Sequence, residues 1–187
     1  PLAGRLEEPL VLFPLTKAVI LLLNLPAKDF LRSQVIDLLS SPYFQLHKLA
    51  ADPAHARPDL WDLATRELAI CKGVSEWRRL RHFTQRDLLL RQISDDDETR
   101  VIRIAAAQLL SLADVVDALV ADLAGLPSQA TWREYSTKWQ ALLEKYLGIS
   151  PIGEAGGQEA SPTNAILEVL DQLAGLDKIH DSVSLGD

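Results

Sequence analysis

The chain has 187 residues, 48% of them apolar, and a formal net charge of −7; this allows one substantial self-supporting core, or a core with a tail. The acid excess excludes a generic polyanion binder, whose affinity grows with the number of Lys and Arg that displace counterions, so any nucleic-acid contact has to be local. A single cysteine, Cys71, excludes an internal disulfide and a cysteine-rich metal site and fits a reducing compartment.

The most apolar run, residues 10–25 (LVLFPLTKAVILLLNL), is interrupted by Pro14, Lys17 and Asn24. It falls short of the roughly 18 to 20 apolar residues a membrane span requires. It reads instead as a buried helix over residues 15–23, stopped before Pro26 because the residue preceding a proline is pushed out of helical geometry. No secretory leader pattern is present, so the expected location is the cytoplasm. A second helix starts near Asp29 or Ser33 and ends at Ser41, before Pro42. Its Val35, Ile36, Leu38 and Leu39 are too dense for a one-sided surface helix and predict cover on more than one side. Residues 47–59 (HKLAADPAHARPD) read as a loop, and Asp59 as the N-cap of a helix through Leu60, Leu63, Ala64 and Leu68.

Beyond Gly73, Ser75 is expected to cap a helix with Trp77, Leu80, Phe83, Thr84 and Leu88 on one side. On a 100° wheel, Arg78, Arg79, Arg81, His82 and Arg86 then fall within an arc of roughly 160° on the other. After the acidic run Asp95, Asp96, Asp97 and Glu98 comes the longest predicted helix, from Thr99 to Ala124. It carries Ile102, Ala105, Leu109, Leu112, Val116, Leu119 and Leu123 at spacings of three and four, and Val101, Ile104, Val115 and Val120 widen that surface into a central core helix. Gly125 and Pro127 end it. Thr131 with Glu134 forms a capping box for a helix bearing Trp132, Tyr135, Trp139, Leu142 and Tyr146, an aromatic stripe that helical spacing aims at one buried side.

Residues 148–162 (GISPIGEAGGQEASP) read as a flexible connection. Ser161 with Pro162 at the first helical position then opens a last amphipathic helix using Ile166, Val169, Leu170 and Leu173. Ser184 followed by Asp187 resembles the start of a further helix, and the absence of methionine with Pro1 at the start suggests an excised internal segment. Strands are expected to be few or absent. The expectation is an all-α fold of about seven helices around a long central one. Residues 1–149 form a helical core, 150–162 a connection, and 163–187 a terminal helix and tail packed on that core.

Catalytic signatures are sparse. Gly156 and Gly157 precede Gln158 and Glu159 rather than the Lys and Ser or Thr of a phosphate-cradling loop. Pro58 and Asp59 match two letters of a PD-(D/E)xK nuclease motif, but no D/E-x-K follows. The acids at 95–98 suit a helix start, where carboxylates complement the positive end of the dipole. The histidines at 47, 55, 82 and 180 form no i,i+4 pair, so neither a zinc site nor a nucleophile–base pair is indicated. No catalytic residue, metal ligand or cofactor is therefore assigned. The arginine face is different. Arg78, Arg79, Arg81 and Arg86, joined by Lys72, are candidates to contact a phosphate backbone, because guanidinium groups bind phosphate oxygens bidentately; the alternative is a face that is solvated or paired with acids of the same chain.

Four stretches, in order, resemble the AddB/RexB and RecB/RecC-like subunits of bacterial helicase–exonucleases that process broken DNA ends: LLLNLPAKDFLRSQVIDLLSSPYF, ELAICKGVSEWRRL, ATWREYSTKWQALLEKYLGI and AILEVLDQLAGLDKIHDSVSLGD. The resemblance covers most of the chain from about residue 15. It implies a helical insertion into the second helicase-like domain, an accessory 2B-like domain flanked by motor domains and followed by a PD-(D/E)xK nuclease. It also implies that this segment lacks the parent's ATPase and nuclease residues, and that it shapes the DNA path, grips DNA weakly or braces a partner helicase subunit. A reading from another class is a helical interaction or dimerisation domain that uses the seam from Ile102 to Leu123 between subunits.

Overall fold

The computed structural model describes residues 13–93, 99–150, 162–178 and 183–184. In chain order its elements are α1 (Pro14–Asn24), α2 (Arg32–Leu39), α3 (Leu46–Leu49), a 3-10 turn (Pro53–His55), α4 (Pro58–Glu67), α5 (Val74–Arg78), α6 (Leu80–Phe83), β1 (Leu88–Ile93), β2 (Thr99–Ile104), α7 (Ala106–Ala124), β3 (Gln129–Ala130), α8 (Trp132–Leu147), α9 (Pro162–Ala174), a second 3-10 turn (Gly175–Lys178) and β4 (Val183–Ser184). The character is all-α, as expected, with the strands among the described residues confined to the two-stranded pairs β1–β2 and β3–β4. The chain divides into two compact units. One spans Asn24–Gly125, and the described residues of the other come from 13–23 and from Leu126 onward.

In the unit 24–125, α7 is the spine. It buries Leu109, Leu112, Ala113, Val115, Val116, Leu119, Val120 and Leu123, more than one helical stripe, and α4, α5 and α6 pack against it. The fully buried Trp61 of α4 ties it to the start of the spine by donating from Nε1 to the Gln108 carbonyl oxygen at 2.8 Å. Helix α2 packs on α4, where Arg32 meets the Asp62 carboxylate at 2.6 Å and Arg66 meets it at 2.7 Å. Partial burial works to raise the Asp62 carboxyl, but the hydrogen bonds from Arg32 and then Arg66 outweigh it and hold it below the usual carboxylate range. Asp59 does not cap α4; Arg57 is the N-cap residue, Pro58 opens the helix, and Asp59 in its first turn pairs back to Arg57 at 2.7 Å. The expected loop 47–59 contains the short turns α3 and Pro53–His55.

Two long helices predicted from sequence are shorter in the structure. Residues 99–104 are not the first turns of α7 but the strand β2, paired antiparallel with β1 from Leu88↔Ile104 to Ile93↔Thr99. Thr99, Val101, Ile102 and Ile104 make TRVIRI rich in β-branched residues, which lose side-chain freedom in a helix and fit a pleated strand. One face of the ribbon, Leu88, Leu90, Ile102 and Ile104, packs on Leu60, Leu63, Ala64, Phe83 and Leu109. Leu88 pairs with Ile104 and so belongs to β1 and not to the arginine-bearing helix, which divides into α5 and α6 and ends at Phe83. The acids 95–98 lie outside the described residues.

In the other unit, the predicted capping box is present: Glu134 N–H donates to Thr131 Oγ1 at 3.2 Å and Thr131 N–H to Glu134 Oε2 at 2.9 Å. Helix α8 closes at Gly148, in the left-handed region at φ 67°, with Ile149 N–H returning to the Leu143 carbonyl at 3.2 Å. Tyr135 and Tyr146 are buried, Trp132 and Trp139 half-buried, and Tyr135 stacks on Trp139 with ring centres 5.5 Å apart. Helix α9 packs on α8; Ser136 Oγ donates to the Leu170 carbonyl at 2.8 Å. Its buried residues are Ile166, Leu167 and Leu170, so Val169, expected inside, is instead exposed. Val183 and Ser184 pair as β4 with β3, and residues 185–187, where a helix after Ser184 is expected from the sequence, lie outside the described residues. Residues 151–161, including Ser161, lie outside the described residues.

Candidate nucleic-acid interface

The arginines are held by an unusual clasp. In the turn 25–31, Asp29 and Phe30 both take the left-handed conformation, at φ 51° and 50°, which costs a side-chain-bearing residue about 1 kcal/mol or more. The segment 71–77 fastens it. Gly73 N–H donates to the Asp29 carbonyl at 2.6 Å, Arg32 N–H to the Cys71 carbonyl at 2.8 Å, and the buried Trp77 donates from Nε1 to the Phe30 carbonyl at 2.7 Å. Gly73 itself sits at φ 90°, ψ 137°, a region closed to residues with a Cβ. It, and not Ser75, is the N-cap residue of α5, with no side-chain cap hydrogen bond. The Glu76 carboxylate accepts from Cys71 N–H at 2.7 Å and from Lys72 N–H at 3.2 Å. Those two amide donors, Cys71 first, hold its carboxyl below the ordinary range.

Glu76 is thus engaged by the backbone, and the side chains beside it are turned outward. Lys72, Arg78, Arg79 and Arg86 are exposed. Their side chains make no ion pair with another described residue. Arg81 differs. Its Nη1 reaches Asp114 at 2.7 Å and its Nη2 reaches Asp117 at 2.6 Å, while Nε also donates to Asp117 at 2.9 Å. The Asp117 hydrogen bond, ahead of that from Asp114, outweighs partial desolvation and raises the guanidinium pKa further. With two carboxylates on one guanidinium, Arg81 is a strut between α6 and α7.

Arg78, Arg81 and His82 share one wall of an open groove of about 590 Å³, with Asp117, Val120, Ala121 and Ala124 of α7 on the other. The structure therefore brings Arg78 and Arg81 together at the groove. Arg86 lies past the end of α6, in the connection to β1, and is not on a shared helical face with them. Asp114 and Asp117 were not singled out in sequence; their i,i+3 spacing on a helix was the available signal. Among the described residues no three His, Cys, Asp or Glu side chains converge as a metal site would require, and no helix is long and apolar enough to cross a membrane. Comparison of the chain with family models, with curated proteins and with solved structures gives no match.

Proposed function

We propose that the chain is a non-catalytic helical accessory domain of a bacterial, cytoplasmic ATP-dependent DNA helicase–exonuclease, acting in double-strand-break processing and recombinational repair. In this reading it contacts DNA weakly through Lys72, Arg78, Arg79 and Arg86. One observation supports the contact: the side chains of Lys72, Arg78, Arg79 and Arg86 are exposed and form no ion pair with a described carboxylate, Glu76 attracting Arg79 and Lys72 only at longer range, and α5, which carries Arg78, is fixed to the core by Trp77. Exposed guanidinium groups on a rigid support suit phosphate contact, which positions a protein on nucleic acid without reading sequence. The family resemblance supplies the parent: flanking helicase-like and nuclease domains and a partner subunit. Arg81 is removed from the contact set, because a guanidinium already shared by Asp114 and Asp117 brings net negative charge with it.

The alternative, dimerisation through the central seam, loses its surface. Leu109, Leu112, Val116, Leu119 and Leu123 are already buried, and Ile102 lies in a strand. Titration of the 187-residue chain with fluorescent single-stranded and duplex DNA tests the proposal. Weak affinity should fall with added salt, and Arg78→Ala with Arg79→Ala should lower both the affinity and the magnitude of the salt slope, by about one unit per lost phosphate contact. Equal binding by the double variant, or none by the unaltered chain, would remove the DNA contact.

A further inference from the structure

We propose that the turn 25–31 is one state of a two-state switch, the other state being an N-terminal extension of α2. Its sequence is that of a helix start. Pro26 suits the first helical position, and no glycine stands between Leu25 and Ser41. Yet Asp29 and Phe30 stand at φ 51° and 50°, the left-handed region that glycine enters freely and Asn or Asp at small cost. Phe30 is buried there. A bulky residue in that region is held by its surroundings and not by its own preference.

The hydrogen bonds identify the alternative. The Asp29 carbonyl accepts from Gly73 N–H, the Phe30 carbonyl from Trp77 Nε1, and Arg32 N–H donates to the Cys71 carbonyl. In a helix continued back from Arg32 the same three groups find partners four residues away on their own segment. Ser33 N–H would reach the Asp29 carbonyl. Gln34 N–H would reach the Phe30 carbonyl in place of the Leu31 carbonyl that it holds at 3.0 Å, and Arg32 N–H the Lys28 carbonyl. Three bonds to the segment 71–77 are thus exchanged for three helical ones, and the backbone of 28–32 is satisfied in both states.

Side chains set the balance. Continuing the helix turns Phe30 about 160° away from the mean direction of Val35, Ile36, Leu38 and Leu39, and so out of the core. Burial of Phe30 and a partner for the buried Trp77 indole favour the turn; relief of two left-handed residues favours the helix. Opening also releases the segment 71–77 and with it α5. A ligand that binds the seated α5 more tightly than the freed one therefore holds the turn closed. The switch rests on the turn's geometry and does not depend on the DNA contact proposed above.

Carbon chemical-exchange saturation transfer on the labelled 187-residue chain tests it, read at the Cα and carbonyl carbons of residues 27–31. Asp29 is exposed, and substituting it leaves the three clasp hydrogen bonds, all to the backbone or from Trp77, available. Asp29→Ala is less tolerant of the left-handed region and a better helix former, so the population with helical shifts should rise about fivefold; with Asp29→Gly it should fall. Trp77→Phe, which deletes the donor to Phe30, should raise it about tenfold, with the Ser33 and Gln34 amides still protected from exchange. If Trp77→Phe unfolds the chain, the two Asp29 variants decide. Coil-like in place of helical shifts at 27–31, equal populations in Asp29→Ala and Asp29→Gly, or no second state in Asp29→Ala would each overturn the proposal.

Discussion

Trp77 holds the carbonyl of Phe30, 47 residues earlier in the chain, through a 2.7 Å hydrogen bond from its indole Nε1. Phe30 is buried and left-handed, so this carbonyl has left the path of regular structure and depends on a side chain for its partner. The bond also seats α5, from which Arg78 projects. Trp77→Phe keeps most of the ring volume and deletes the donor. It should lower unfolding stability by about 1–3 kcal/mol, the range for orphaning a buried acceptor. Denaturant titration at unchanged slope is the measurement; a variant as stable as the parent would show that the turn 25–31 stands without Trp77.

Helices α4 and α8 end in the same way with different residues. After α4, Ala69 occupies the left-handed position at φ 51°, with Ala69 N–H on the Arg66 carbonyl and Ile70 N–H on the Thr65 carbonyl, both at 3.0 Å. After α8, Gly148 occupies it at φ 67°. A Cβ in that region costs about 1 kcal/mol. Ala69→Gly should therefore stabilise the chain by up to about 1 kcal/mol, discounted by the extra freedom glycine gives the unfolded state. Gly148→Ala should destabilise it by up to about 1 kcal/mol, the left-handed strain of the added Cβ exceeding the gain from an unfolded chain with less freedom. Thermal melts of the two variants should move in opposite directions; a shift of the same sign in both would refute the shared capping geometry.

What the sequence disclosed was local. The Thr131–Glu134 capping box, the seam from Leu109 to Leu123 and the break at Pro26 all follow from residues within a turn or two of one another. The N-terminal end of α7 did not. Ile102, Ala105 and Leu109 satisfy three-and-four spacing, yet Ile102 and Ile104 equally satisfy the alternation of a strand. What decides between them is Leu88–Ile93, a partner strand on the other side of residues 94–98. The arginine arc failed for a related reason. A wheel assumes one continuous helix, and this one divides between Arg78 and Leu80 and ends before Arg86. The acids that claim Arg81 stand 33 and 36 positions later, at Asp114 and Asp117. Ser75, for its part, lost the cap to a backbone geometry set by Gly73 at φ 90°.

Arg81 and Arg78 share a groove but should answer differently to substitution. Arg81→Ala removes a strut to Asp114 and Asp117 and should cost about 0.5–1 kcal/mol of stability, less at high salt, as expected for a partly exposed ion-pair network. It also unmasks two carboxylates beside Arg78, so DNA affinity should fall even though Arg81 makes no phosphate contact in our reading. Arg81→Ala with Asp114→Asn and Asp117→Asn removes that repulsion and should recover the affinity. Arg78→Ala should leave stability within about 0.5 kcal/mol. If the triple variant binds no better than Arg81→Ala, Arg81 is a direct contact after all.

Asp87 links the ribbon to the spine, and this link should fail in acid. Its Oδ1 accepts from Ala106 N–H, at the first turn of α7, at 2.9 Å, and its Oδ2 accepts from Arg103 Nε at 2.6 Å. The amide donor first and Arg103 second hold its pKa below the ordinary carboxylate value. A depressed native pKa means that the unfolded chain takes up the proton more readily. The associated stability is therefore fully present above the unfolded value, about 3.9 for an aspartate, and is lost as pH falls from there through the lower native value. Asp87→Asn can still accept from Ala106 but carries no charge to titrate. Its melting temperature should lie below that of the parent at pH 7, and the gap should close toward pH 2. Hydrogen exchange at Ala106 reports the same link directly, and should be faster in Asp87→Ala at neutral pH. A gap that stays constant across the acid range would show that Asp87 acts through shape alone.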